Sequence, residues 1–176
     1  MPRVKTPVPP VLAQRAAALR ARRELDEVEE MRFVMEAVAH GLSQDDIAEV
    51  IGASQATISR IVKRIAQDPR VTRPSVKEIV NRATVKEITR SKMVQELRTL
   101  KIGYVKKPDS EWMNLRGALH RGLLSKAEVE VVAEDAARKI VARVTHSMDL
   151  EAQHVPQSAV DEMVRETTAK LVADLG

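Results

Sequence analysis

The 176-residue chain contains no cysteine, which rules out disulfides and thiolate metal sites and leaves no thiol chemistry. Aromatic side chains make up only 2% of it. The apolar content falls instead to Ala, Val, Leu, Ile and Met, a composition that favours helices packed through aliphatic side chains. No apolar run approaches the roughly 20 residues of a membrane span, and the opening M-P-R-V-K-T-P-V-P-P lacks the apolar stretch of a secretory signal. A soluble, cytoplasmic protein is expected.

Other absences narrow the chemistry. His40, His120, His146 and His154 are scattered, with no pair at i and i+4 and no acid placed as a metalloprotease needs. The glycines are too few and too separate for a phosphate-cradling loop, and the serines fit helix caps better than nucleophiles. No catalytic residue, metal or cofactor is expected, so the chain does not read as an enzyme.

Charge is present in blocks. The formal net charge is only +4, but an electrostatic footprint is local. Residues 24–50 carry nine acids against Arg32 alone, whereas residues 51–107 carry fourteen bases against four acids. A basic block of this kind commonly neutralises phosphates. Lys77, Arg82, Lys86, Arg90 and Lys92 could extend such a footprint or meet an acidic partner, and the sequence does not choose.

Along the chain every periodic segment is helical, none alternates as a strand, and no fixed-period repeat occurs. Residues 1–10 hold four prolines without periodicity and read as a disordered arm. From 11 to 40 there is no Gly or Pro, and Leu19, Leu25, Val28, Met31, Val34, Met35 and Val38 recur at helical spacing, which predicts one long helix ended by Gly41. Its first half is basic (Arg15, Arg20, Arg22, Arg23), fit to project beyond the core or to pair with a second copy.

Residues 67–74 contain Pro69 and Pro74 and read as a linker or sharp turn. Beyond them, Ile79, Val80 and Ala83 suggest a short helix. Thr89 caps another that buries Met93, Val94, Leu97 and Leu100, and residues 103–110 form a loop. Ser110 caps a helix carrying Trp112, Leu115, Ala118 and Leu119; Trp112 shares that apolar face and reads as core. Ser125 and Glu128 form a capping box at the head of a longer helix. A last amphipathic helix runs from about Pro156 to Leu175. The expected architecture is all-α, with an arm (1–10), a first domain (11–66), a linker (67–74) and a helical oligomerisation or partner-binding domain (75–176).

The informative stretch is G-L-S-Q-D-D-I-A-E-V-I-G-A-S-Q-A-T-I-S-R-I-V-K-R-I, residues 41–65. Ser43 can accept from free amides at a helix start, and Asp45 and Asp46 sit where the helix dipole favours negative charge, so the helix begins near Gln44. Ile47, Val50 and Ile51 make an apolar stripe, and Ala48 is small where the next helix must cross closely. Gly52 stands where a left-handed turn is cheapest for glycine, and Ala53 passes the corner. Ser54 caps a second helix, which Ile58, Ile61 and Val62 pack against the first. Gln55, Ala56, Ser59, Arg60, Lys63 and Arg64 remain outside, able to reach base edges and phosphates.

This stretch closely resembles the helix-turn-helix of bacterial and phage regulators, the class that includes lambda-repressor-like, Trp-repressor-like and resolvase-type DNA-binding domains. The resemblance covers about 23 residues, with Ile47, Ala48, Ile51, Gly52, Ile58 and Ile61 in register. It implies that Ser54, Gln55, Ala56, Ser59 and Arg60 face bases, and that Gln44, Thr57, Lys63 and Arg64 touch phosphates of double-stranded DNA. A nucleoid-associated transcriptional regulator, a repressor, is the function it implies, reading the major groove with residues 54–65 and acting as a homodimer on a near-palindromic site.

In the second half, E-I-T-R-S-K-M-V-Q-E-L, Tyr104, Trp112 and G-L-L-S-K-A-E-V resemble segments that follow such domains in some actinobacterial antitoxin-like proteins. That implies an alternative, an antitoxin-like protein whose C-terminal helices bind a partner protein while it autoregulates its promoter. A recombination, partition or replication accessory of a mobile element would use the same DNA-binding module.

Overall fold

The computed structural model of the protein describes residues 8–102, 110–150 and 155–175, those at 148–150 by their backbone alone. Most of the expected arm, the loop at 103–109 with Tyr104, Lys106 and Lys107, and His154 lie outside the described residues. Among the described residues all regular structure is helical. No helix there is long and apolar enough to cross a membrane. The chain divides into two compact units, Met1–Pro74 and Ser75–Gly176.

The first unit opens with α1, Pro10–Ala39. Pro10, expected in the arm, begins this helix: at the first helical position the missing N–H has no intrahelical partner to lose. Two short helices follow, α2 (Gln44–Ile51) and α3 (Gln55–Gln67). Their shared core is small. Val34 and Ala37 of α1, Ile47 and Ala48 of α2 and Ile58 of α3 are buried, and Ile51, Ala53, Ile61, Val62 and Ile65 pack around them.

The expected apolar stripes are only partly buried. Leu19, Met35, Val38 and Val50 are exposed, Val50 to 67%. The two short helices cover only the side of α1 that carries Val34 and Ala37, and Val50 lies off the side of α2 that carries Ile47 and Ala48.

The stretch expected as a linker is structured. Helix α3 continues to Gln67, and Pro69–Thr72 forms a 3-10 turn. The Asp68 carboxylate caps it, accepting from the Arg70 amide at 3.0 Å. Arg32 of α1 donates from Nε to the Thr72 carbonyl at 2.9 Å. Proline ends the α-helix, but it is well suited to the first position of a new helical turn, where its fixed φ is already helical.

The second unit is a bundle of α4 (Val76–Thr84), α5 (Arg90–Thr99), α6 (Glu111–His120), α7 (Lys126–Leu150) and α8 (Gln157–Leu175). Thr89 and Ser110 cap α5 and α6 by accepting from the Lys92 and Met113 amides. At the head of α7, Glu128 Oε2 accepts from the Ser125 amide at 2.7 Å while Ser125 Oγ accepts from the Glu128 amide. Trp112, Leu115, Leu124 and Val129 lie at the centre of a core far larger than that of the first unit, extending to Val164, Leu171 and Leu175 of α8.

Arginines of the basic block are drawn into this bundle. Arg82 pairs with Glu96 at 2.9 Å and Arg90 with Glu128 at 2.5 Å, and Arg98 pairs with Asp135. The Lys139 ammonium donates to the carbonyls of Arg98 and Leu100 at the end of α5.

Candidate nucleic-acid interface

The local fold around residues 43–65 follows from its caps and its turn. Ser43 Oγ accepts from the Asp46 amide, while Asp46 Oδ2 accepts from the Ser43 amide and hydroxyl, the latter at 2.6 Å. These hydrogen bonds hold the Asp46 carboxyl below its ordinary range, the Ser43 hydroxyl contributing most. Gly52 ends α2 with φ 74°. In that left-handed conformation its N–H donates to the Glu49 carbonyl and the Ala53 N–H to the Ala48 carbonyl. Two residues later Ser54, in extended backbone, caps α3. Only Gly52, Ala53 and Ser54 separate the two helices.

Helix α3 has two distinct sides. At about 100° per residue, Ile58, Ile61, Val62 and Ile65 fall on the side packed against the core. Gln55, Ala56, Ser59, Arg60, Lys63 and Arg64 span the opposite half-turn. Of these, all but Ser59 are exposed; Ser59, expected outside, is half-buried. No acid lies on α3. Among the described residues neither Lys63 nor Arg64 joins an ion pair, so both ammonium and guanidinium are available to an incoming anion.

The N-terminal end of α3 carries a hydrogen-bonded polar cluster. Gln55 Nε2 donates to Gln44 Oε1 at 3.2 Å, so a side chain at the start of α2 meets one at the start of α3. Ser54 Oγ accepts from the Thr57 amide at 3.2 Å and shares a 2.9 Å hydrogen bond with Thr57 Oγ1. Arg60 lies back along its own helix, Nε donating to the Ala56 carbonyl at 3.1 Å and the guanidinium reaching Thr57 Oγ1 at 3.4 Å.

The residues singled out by sequence are thus brought together on one surface: Gln44, Ser54, Gln55, Ala56 and Thr57 at its head, Ser59 and Arg60 in the middle, Lys63 and Arg64 beyond. Sequence reasoning missed Arg32. Through Thr72 it ties α1 to the segment that follows α3, and its isolation among nine acids was the available signal.

Chemically the surface offers amide and hydroxyl groups able to donate or accept, three cations, and no carboxylate on α3. Among the described residues no group of acids and histidines could hold a metal ion. Comparisons with protein-family models, with curated proteins and with solved structures found no match.

Proposed function

We propose that the protein is a sequence-specific regulator of transcription, a repressor, that binds duplex DNA by seating α3 in the major groove as the second helix of a helix-turn-helix. The observation that carries this reading is the outward half-turn of α3. It has cations and short polar groups, no acid, and a free edge one helix long, dimensions that suit a groove about 12 Å wide. On this reading Gln55, Ala56, Ser59 and Arg60 approach base edges, Ser54 lies beside them, and Gln44, Thr57, Lys63 and Arg64 hold phosphates. The Gln44–Gln55 hydrogen bond supports it physically, because a base-reading amide already held by a neighbour loses less rotational freedom on binding.

Arg60 is the discriminating residue. A bidentate contact to guanine contributes about 1–3 kcal/mol of discrimination. The bound sites are first mapped on fragments of the source genome at fixed salt, since non-specific affinity changes steeply with ionic strength. Arg60→Ala should then weaken binding to a mapped site roughly 5- to 150-fold while barely changing binding to random duplex. Lys63→Ala and Arg64→Ala should weaken both about equally. Equal losses for Arg60→Ala would reduce Arg60 to a phosphate contact, and a wild-type chain with no preferred fragment would end the regulator reading.

A further inference from the structure

Helices α7 and α8 pack along each other as a hairpin, and between them runs an open groove of about 890 Å³. On α7 it is lined by Ala127, Val131, Glu134 and Arg138, and on α8 by Asp161, Arg165, Thr168 and Val172. Each set is spaced four, three and four residues apart. That is the spacing of the seam by which one helix packs lengthwise on another. Among the described residues no helix covers this seam. Val131 is 39% exposed; Ala127, Glu134, Arg138, Asp161 and Arg165 are also exposed, Thr168 and Val172 are half-buried, and Val164 forms a buried floor.

The chain turns back between residues 150 and 157, so the two helices run in opposite directions and the first residue of one set faces the last of the other. The groove then has four layers: Ala127 with Val172, Val131 with Thr168, Glu134 with Arg165, and Arg138 with Asp161. The Arg138 guanidinium is held above its ordinary range by its hydrogen bond to Glu134 first, and then by the nearby charges of Asp135 and Asp161. One half of the groove thus holds two cations and two anions in a checkerboard. The other half carries a single charge, Glu130, one turn from Arg165 across the groove. Along the helices Arg138 also pairs with Glu134 and Arg165 with Glu162, both at 2.6 Å and on exposed positions. Exposed pairs of this kind contribute little and can be shared with a new neighbour.

The pattern is complementary to itself. A two-fold axis parallel to the helices lays α7 of one copy on α8 of the other, antiparallel, with every layer meeting its own equivalent. Ala127 and Val131 then meet Val172 and Thr168 of the second copy, Glu134 meets Arg165, and Arg138 meets Asp161. An axis across the helices would instead lay the checkerboard on methyl groups and desolvate its charges without partners. The first arrangement is isologous and closed, a four-helix bundle in which all neighbours run antiparallel.

We infer that the α7–α8 groove is the self-association surface of this protein, filled by the same groove of a second copy about a two-fold axis parallel to the helices. The pairing stands independently of any ligand: a dimer that selects no duplex would sink the DNA reading and leave the pairing, and a monomer that binds selectively would do the reverse.

The test measures the mass of the full chain by sedimentation equilibrium over a range of concentrations without DNA. Wild type should dimerise, and Val131→Glu should raise the dimer dissociation constant about tenfold. Arg138→Asp and Asp161→Arg should each weaken the dimer, with the double exchange returning toward wild type. The chain has no cysteine of its own, so introduced thiols are unambiguous. Val131→Cys and Thr168→Cys, carried by separate chains, should cross-link on oxidation when the two are mixed and not when either is alone, because α7 meets α8 and not a second α7. The substituted side chains are exposed or half-buried, and circular dichroism and Trp112 fluorescence of each variant check that the fold is kept. A monomer at all concentrations, a dimer indifferent to Val131→Glu, a double exchange no tighter than the single ones, or cross-linking by Val131→Cys alone would each overturn the proposal.

Discussion

Gly52 takes a φ of 74°, and nothing lies within 4 Å of where a Cβ would stand. The demand for glycine is therefore a property of the backbone and not of crowding. A left-handed conformation costs an ordinary L-residue about 1–2 kcal/mol, and Asn tolerates it best. Gly52→Ala should destabilise the first unit by about that amount, and Gly52→Asn by less, in urea unfolding followed by helical circular dichroism. Equal losses for the two would mean that packing, and not φ, sets the requirement. Lys86 adopts the same region with φ 65° between α4 and α5, and no glycine marked it in the sequence. The corner at Gly52 was legible for the reason that the corner at Lys86 was not: a residue type advertises a conformation only when it is the one chosen to relieve it.

Between elements, the pairing of α5 with α7 is the clearest electrostatic device. Arg90 Nε and Nη2 donate to both oxygens of Glu128, the second at 2.6 Å. This pair, with the Ser125 amide and hydroxyl behind it, lowers the Glu128 carboxyl from its ordinary 4.5 to about 2. Because the folded value is the lower one, the contribution is complete above about pH 4.5 and is lost as pH falls toward 2. The second unit should weaken on acidification across that window, and Glu128→Gln should flatten this part of its stability–pH curve; an unchanged slope would show that the pair is too well solvated to matter. The head of α7 was readable because Ser125 and Glu128 are three residues apart. The partner on α5 was not, since Arg90 is 38 residues away and nothing local distinguishes it from a surface base. The same holds for Arg82 with Glu96 and Arg98 with Asp135, which explains why the basic block looked freer in sequence than it is in the fold. Ser75, which caps α4 by accepting from the Glu78 amide, carries the same S-x-x-E spacing as Ser125 and is legible by it. On α1 the periodicity identified the helix but overstated its buried side, because Leu19, Met35 and Val38 satisfy the spacing without reaching α2 or α3. Periodicity reports what a helix could bury, and only the neighbours decide what it does bury.

Across the whole chain the two units differ most in the size of their cores. Among the described residues, five form the buried cluster shared by α1, α2 and α3, with Ala21, Leu25 and Met31 of α1 buried outside it, while nineteen form the core of the second, which includes Trp112, the chain's only indole. Stability is a small difference between large terms and grows with the apolar area removed from water, so the first unit should unfold at the lower temperature. Helical circular dichroism should then begin to fall before Trp112 fluorescence changes, because the indole reports on the second unit alone. Coincident curves would show one cooperative fold. Ile58→Ala, which truncates a fully buried side chain, should cost the first unit about 2–5 kcal/mol and widen the gap without moving the fluorescence transition. A five-residue core beneath α3 also has a consequence for control. On the proposed function, modest warming would loosen the grip on an operator while most of the molecule stayed intact, and cooling would restore it, so that heat alone would act as an inducer.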